Sequence, residues 1–382
     1  MDEVSFKSPL LETQGFAGGG LVRGLTTTDD CVRMIRDPGC RIVLVAGRQI
    51  GCYKDDYSSH YAVCWFDNAR LRELGFEQIL ADADAWGYEY RVGDDGPTTS
   101  TRCPLYYLGK EEDGMYYMAL DVTEVLAFLG HPIDHFANMM DLRHLFTYLP
   151  PLELARAGHA VALSQWHQSH RYCPKCGSLA IPIAAGTKRQ CTRQDAHKQY
   201  PRTDPVIIVL VTSPGRGDYA LLGRSLKLPT GMLTCLSGFI DVGESIEEAV
   251  VREVAEEAGV QVSMTSVRVV GSQPWPLGRG GSHELMIGCI AQAISMELSI
   301  DHTEMAECRW VTRAELQDAV MKAANLSSNT HHYGRLSKQG GTATEGKGED
   351  YFFIPPPTAI AHHLIKTFVA QKSQNTTEEE SP

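Results

Sequence analysis

No run of 18 apolar residues occurs in the 382-residue chain, so no segment reads as a transmembrane helix. Positive charge is also short, with 35 Lys and Arg against 47 Asp and Glu and a formal net charge of −12. That deficit excludes a broad basic field for nucleic acid or an anionic membrane. An anionic substrate would have to be met by metal ions or by local cations. The start, MDEVSFKSPLLETQGFAGGG, lacks the apolar core of a signal peptide and carries acids at positions 2 and 3. It points to an intracellular, cytoplasmic protein, with mitochondrial or peroxisomal residence as the alternative. Without a secretion signal, the 11 cysteines read as free or metal-bound thiols rather than cross-links. Internal repeats are absent. Apolar residues make up 43% and charged residues 21%, ordinary for a soluble globular protein long enough for two cores.

The chain divides at changes of pattern. Residues 1–169 carry short apolar runs, RIVLVAG (41–47) and YYMALDV (116–122), and helical patterns such as DVTEVLAFLG (121–130), and are expected to form a mixed α/β domain. A cysteine-bearing segment, 170–202, follows. Residues 203–371 hold strand-like runs PVIIVLVTS, YALLGR, TSVRVVG and LMIGCIAQAI, a helix in SIEEAVVREVAEEAG, and late helices in TRAELQDAVMKAA and TAIAHHLIKTFVA. Strands interleaved with helices in that order predict an α/β/α sandwich. Residues 325–350, rich in Ser, Gly, Thr and Lys, predict a mobile loop, and 372–382 a disordered acidic tail.

Within GFIDVGESIEEAVVREVAEEAGV (238–260), Ser245 and Glu248 have the spacing of a capping box, and Gly259 is placed to end the helix. At about 100° per residue, Glu253, Glu256 and Glu257 share one arc, while Val250, Val251, Val254 and Ala258 centre on another face. A solvated helix face is the ordinary meaning of such a cluster. Three converging carboxylates repel unless a cation lies between them, and hard oxygen ligands suit Mg²⁺ or Mn²⁺. Glycines at 238 and 243 let backbone approach a ligand.

These residues match the Nudix box, G-x5-E-x7-R-E-U-x-E-E-x-G-U with U aliphatic, at every specified position. A chance match at average residue usage is on the order of one in a billion per start site. The resemblance implies a Nudix fold with a mixed sheet and hydrolysis of a nucleoside diphosphate linked to another group. It implies divalent ions on Glu253, Glu256 and Glu257, and Glu257 as the residue that orients or deprotonates the attacking water. Arg252 and Glu244 fit the pair that braces loop against helix.

Downstream, SQPWP (272–276) resembles the signature of the NADH pyrophosphatase branch, S-Q-P-W-P-F-P-x-S. An aromatic ring between two prolines is a stiff platform suited to stacking on a base, although the same pentapeptide also suits a packed surface loop. The match departs at Leu277 and Gly278, where the branch has Phe and Pro, and RGGSHE (279–284) lengthens the loop. Stretches 166–177, 200–205 and 355–366 resemble the branch's linker, strand entry and closing helix; 106–122 resembles its N-terminal domain. The resemblance implies NADH, NADPH or NAD⁺ as substrate, contacts from Ser237, Tyr200, Ala361, Gln273, Pro274, Trp275 and Pro276, a further metal ligand at Glu304, and the homodimer common in the family.

Cys173, Cys176 and Cys191 follow C-x2-C-x14-C, which looks like the branch's structural zinc ribbon, but no fourth cysteine follows. Asp195 or His197 would complete a tetrahedron; a relic without zinc is the other reading. Cys103, Cys235, Cys289 and Cys308 read as buried thiols. The histidine pairs at 331–332 and 362–363 lack ligand spacing and receive no role. Three alternatives stand beside dinucleotide hydrolysis. Two are enzymatic: removal of NAD caps from RNA, which the acidic charge disfavours, and generic cleavage of nucleoside-diphosphate-X compounds. The third is a silent binding module, which the intact carboxylate set disfavours.

Overall fold

The computed structural model describes residues 34–54, 61–82, 85–92, 99–111, 114–129, 137–278, 281–327 and 352–371. Two compact units emerge: residues 15–203 with the 275–284 loop, and residues 204–274 with 285–382. The 325–350 loop falls almost wholly outside the described residues, as does the 372–382 tail. At its start, helix simply continues to Ser327.

The first unit is built on an eight-stranded sheet in the order β3-β2-β1-β7-β6-β5-β4, with β8 added on β2. β1 (Arg41–Ala46) runs parallel to β7 (Tyr116–Asp121), and β2 (Gln49–Lys54) is antiparallel to β1. The strands β3 (Tyr61–Val63), β4 (Phe76–Asp82), β5 (Ala85–Val92), β6 (Thr99–Lys110) and β8 (Asn138–Asp141) complete it. Helices α1 (Asn68–Glu73) and α2 (Leu142–Leu145) are short. α3 (Pro151–Ser169) is long and opens on a proline, which needs no N–H in the first turn. The run 121–130 is helical only over 126–129. Asp121 ends β7 instead, and its carboxylate accepts from Thr123 N at 3.0 Å and Thr123 Oγ1 at 2.6 Å, a turn that delays the helix.

A three-stranded ribbon follows, β9 (Ala180–Ile183), β10 (Lys188–Cys191) and β11 (Lys198–Gln199), in the order β11-β10-β9. Buried His167 of α3 stacks on Tyr106 with ring centroids 4.3 Å apart. Its Nε2 donates to Gly186 O at 2.7 Å, which leaves Nδ1 to accept from Arg189 Nη1 at 2.8 Å. Burial accordingly pushes its pKa down to about 3, and the ring is a neutral peg between α3 and the ribbon.

The second unit is the expected α/β/α sandwich. Its sheet runs β15-β16-β12-β13-β17 with β14 on β12. The strands are β12 (Asp204–Thr212), β13 (Tyr219–Ser225), β14 (Leu236–Phe239), β15 (Arg268–Trp275), β16 (Glu284–Gln292) and β17 (Met305–Thr312). Its helices are α4 (Ile246–Ala258), α5 (Arg313–Ser327) and α6 (Ile360–Ala370). β12 is apolar without alternation because both its faces are covered. Ile207, Val209 and Val211 pack with Val250 and Val254 of α4, while Ile208 and Leu210 pack with Leu316 of α5 and Leu364 of α6. A helix anchored this firmly on one face holds its opposite edge in place, and that edge carries the carboxylates. Cys103, Cys235, Cys289 and Cys308 are buried free thiols.

Candidate active site and metal centre

α4 begins as its sequence dictates. Ser245 caps it, accepting from Glu248 N at 3.2 Å, while Glu248 Oε2 accepts from Ser245 N at 2.8 Å. It ends on Gly259 at φ 71°. The last turn contains no base, so Glu256 and Glu257 sit at the negative end of the helix dipole with no cation of the helix to offset them.

Arg252 organises the loop before this helix. Its Nε and Nη2 donate to Glu244 Oε1 at 2.7 Å and Oε2 at 2.8 Å, a two-pronged pair, and Nη2 also reaches Phe239 O at 2.9 Å. Nη1 donates to Glu253 Oε1 at 2.8 Å and Glu256 Oε2 at 2.9 Å. The Arg252 guanidinium, joined by the Asp241 N–H, holds the Glu244 carboxyl down at about 2. Glu244 is therefore a permanent anion that fixes Arg252, and Arg252 in turn aims two of the four expected metal ligands.

Gly238 has a different task from backbone approach to a ligand. A Cβ built on it would overlap the Glu253 carboxylate, so the absent side chain is the space that carboxylate occupies. Burial raises the pKa of Glu253; Arg252 opposes that, and repulsion from Glu256 and Glu304 adds to it. Glu304 thus acts on Glu253 from a separate loop. That loop is tied to the end of α4, with Asp301 N donating to Glu257 O at 3.3 Å and Ser299 N to Ala258 O at 2.8 Å. Glu257 lies on the same helix end, buried at 8% exposure. Four carboxylates around one helix end, two of them largely buried, form the hard-oxygen donor set that a divalent cation fits.

The remaining candidate residues divide between the units. Ser237, on β14 opposite Ile208, adjoins Gly238. Ala361 is buried in α6. Buried Gln273 spans the entry to that helix: Nε2 donates to Thr358 O at 2.8 Å and Oε1 accepts from Ile360 N at 2.9 Å. His362, given no role by its spacing, donates from Nδ1 to Pro355 O at 3.0 Å and steadies the same turn. In the first unit Tyr200 is exposed, Pro276 is buried, and Trp275 packs edge-to-face on Phe146 at 5.1 Å. Pro274 is half-buried between Gln273 and Trp275. Nothing in the sequence signalled the Gln273 clamp, since its partners are backbone atoms 85 and 87 residues away.

In the ribbon, Cys173, Cys176, Cys191 and His197 present ligand atoms all within 4.8 Å of one another. Cys176 Sγ lies 3.5 Å from Cys191 Sγ, and Cys173 Sγ lies 3.6 Å from His197 Nδ1. His197, not Asp195, is the fourth member of the cluster. Bonds from the Ser178 backbone and side chain, with lesser ones from His197 and Cys191, lower the Cys176 thiol to about 6, toward the thiolate that a metal requires. Three sulfurs and one imidazole in a closed group fit zinc.

The NUDIX domain model matches residues 201–330, and the NADH pyrophosphatase zinc ribbon domain model matches residues 168–200. The NAD-capped RNA hydrolase of Schizosaccharomyces pombe is 31% identical over 290 residues, covering 69% of this chain and 70% of that protein. The chain belongs to the Nudix hydrolase family. Within it, the ribbon marks the NADH pyrophosphatase branch. Human NAD-capped RNA hydrolase NUDT12 is 38% identical over 288 residues, 69% of this Nudix chain and 54% of NUDT12. Human mitochondrial NAD(P)H pyrophosphatase NUDT13 is 32% identical over 238 residues, 62% of this chain and 60% of NUDT13. The Nudix chain spans about half the length of NUDT12. No helix among the described residues is long and apolar enough to cross a membrane.

Proposed function

We propose that this chain hydrolyses the diphosphate bond of NADH, and also of NADPH or NAD⁺, with Mg²⁺ or Mn²⁺ held by Glu253, Glu256, Glu257 and Glu304. The products are NMNH and AMP, with 2′,5′-ADP in place of AMP from NADPH. The observation that carries the reading is the Arg252 network, which fixes Glu253 and Glu256 beside Glu257 within the field of Glu304. Bound there, the divalent ion supplies charge neutralisation for the diphosphate and acidifies the attacking water. The water oxygen bonds to one phosphorus as the bond to the bridging oxygen breaks, and the leaving phosphate carries away the electron pair. Glu257 accepts the water proton, its carboxylate withdrawn from solvent beside the other ligands. Arg252 and Glu244 keep the loop and helix from parting as charge moves. Trp275 supplies a base platform, with Ser237, Tyr200, Gln273, Pro274, Pro276 and Ala361 as further substrate positions. One structural Zn²⁺ on Cys173, Cys176, Cys191 and His197 completes the cofactors.

Removal of the NAD cap from RNA, the same cut on a longer substrate, is the second reading. It is favoured by the activity named for the human and Schizosaccharomyces pombe relatives. Product analysis by chromatography, with NADH, NADPH, ADP-ribose and NAD-capped RNA side by side in Mg²⁺, separates these. NMNH and AMP from NADH are expected. Cleavage of ADP-ribose with none of NADH would overturn the dinucleotide reading.

A further inference from the structure

The loop that departs from the branch signature contains an unassigned charge. β15 ends at Trp275, β16 begins at Glu284, and the two strands are neighbours in the sheet. Eight residues connect them, too few for a parallel crossover, so they form a hairpin whose facing ends are Trp275 and Glu284. Glu284 is 8% exposed, a carboxylate drawn into the loop rather than spread into water. Its Oε1 accepts from Ser282 Oγ at 3.2 Å. A Cβ on Gly278 would lie 2.5 Å from that same oxygen, so the loop folds its backbone directly over the charge, three residues after the indole. The opposing cation is Arg143, whose Nη2 donates to Leu277 O at 3.0 Å and so is committed to the backbone of the same loop. Phe146 fixes the Trp275 ring from one side.

We infer that Glu284 is a specificity-determining residue that favours the oxidised, cationic nicotinamide of NAD⁺ or of an NAD cap over the neutral dihydronicotinamide of NADH. The inference rests on the reading of Trp275 as a base platform. The two substrates share every phosphate and both riboses and differ at the nicotinamide by one positive charge. A largely buried carboxylate beside the platform therefore acts on that difference and on little else. Where the branch signature has a neutral polar residue ahead of the next strand, this chain has an anion.

The test measures kcat/KM for NAD⁺ and for NADH in saturating Mg²⁺, each normalised to ADP-ribose hydrolysis by the same preparation so that any misfolded fraction cancels. In Glu284→Gln, which removes the charge at nearly constant volume, the NAD⁺-to-NADH ratio should fall about tenfold, the scale of one charge acting across roughly 8–10 Å of protein-like dielectric. Glu284→Asp, which keeps the charge, should retain most of the ratio. Glu284→Ser supplies a second neutral variant should Gln disturb the loop. A ratio unmoved in the neutral variants overturns this inference alone. A wild-type chain that cleaves ADP-ribose but neither dinucleotide overturns the functional reading, and this inference with it.

Discussion

The Glu253 carboxylate fills the space in which a side chain at position 238 would begin, so Gly238 and Glu253 fit one another as void and occupant. Glycine at the head of the Nudix box is thereby explained by a ligand of the same chain rather than by substrate. Gly238→Ala should displace the carboxylate by an ångström or so. Displacements of that size in a catalytic array cost on the order of a hundredfold. We expect kcat to fall by about that factor, with the sheet still folded by circular dichroism. Near-wild-type turnover would show that Glu253 is not held where the chemistry needs it.

Glu257 makes a sharper test of the acidic helix. Glu257→Gln changes charge and basicity and hardly alters volume at a buried position. Loss of a general base or metal ligand typically removes at least two orders of magnitude in rate. Melting temperature should stay near wild type while turnover collapses. Retained turnover in saturating Mg²⁺ would remove Glu257 from the mechanism.

The Glu244–Arg252 pair gives a pH signature in stability. Glu244 is held at about 2 against an ordinary 4.5, so its stabilisation is fully present above about 4.5 and is lost as pH falls toward about 2. The melting-temperature gap between wild type and Glu244→Gln should be flat above pH 4.5 and close progressively below it. A gap that widens on acidification would contradict a depressed carboxyl.

Much of this was legible in the chain. α4 announced itself because capping, periodicity and the terminal glycine agree over residues 245–259, and no tertiary contact competes with them. β12 read as a strand because covering both faces leaves an unbroken apolar run. The fourth ribbon residue stayed open because Asp195 and His197 are two positions apart and zinc accepts either; only the turn that brings His197 Nδ1 to Cys173 distinguishes them. Glu284 went unnoticed because burial of one acid in an irregular loop has no period to betray it.

Zinc follows from that turn. Carefully purified protein should carry about one zinc per chain by metal analysis. His197→Ala and Cys176→Ser should lower melting temperature more than they lower rate, since the ribbon is pegged to α3 through Arg189 and His167 rather than to the carboxylates. Asp195→Asn should do neither. Absence of zinc, or an Asp195 variant that matches His197→Ala, would refute the Cys₃His assignment.

Trp275 decides between a base platform and simple packing. Its ring is set edge-to-face on Phe146 at 5.1 Å and 82°, so its orientation is fixed before any ligand arrives. A stacked base is worth ~1–3 kcal/mol by alanine substitution in single-stranded nucleic-acid binding. Trp275→Ala should then lower kcat/KM for NADH by about tenfold to a hundredfold. The ligands of the diphosphate chemistry lie elsewhere, on α4 and the Glu304 loop, so a small diphosphate without nicotinamide should lose far less. Phe146→Leu, which removes the ring edge but leaves the indole, should reproduce a weaker version of the same selective loss. Equal losses on all substrates would assign Trp275 to packing, and no loss on any would leave the dinucleotide reading without its base platform.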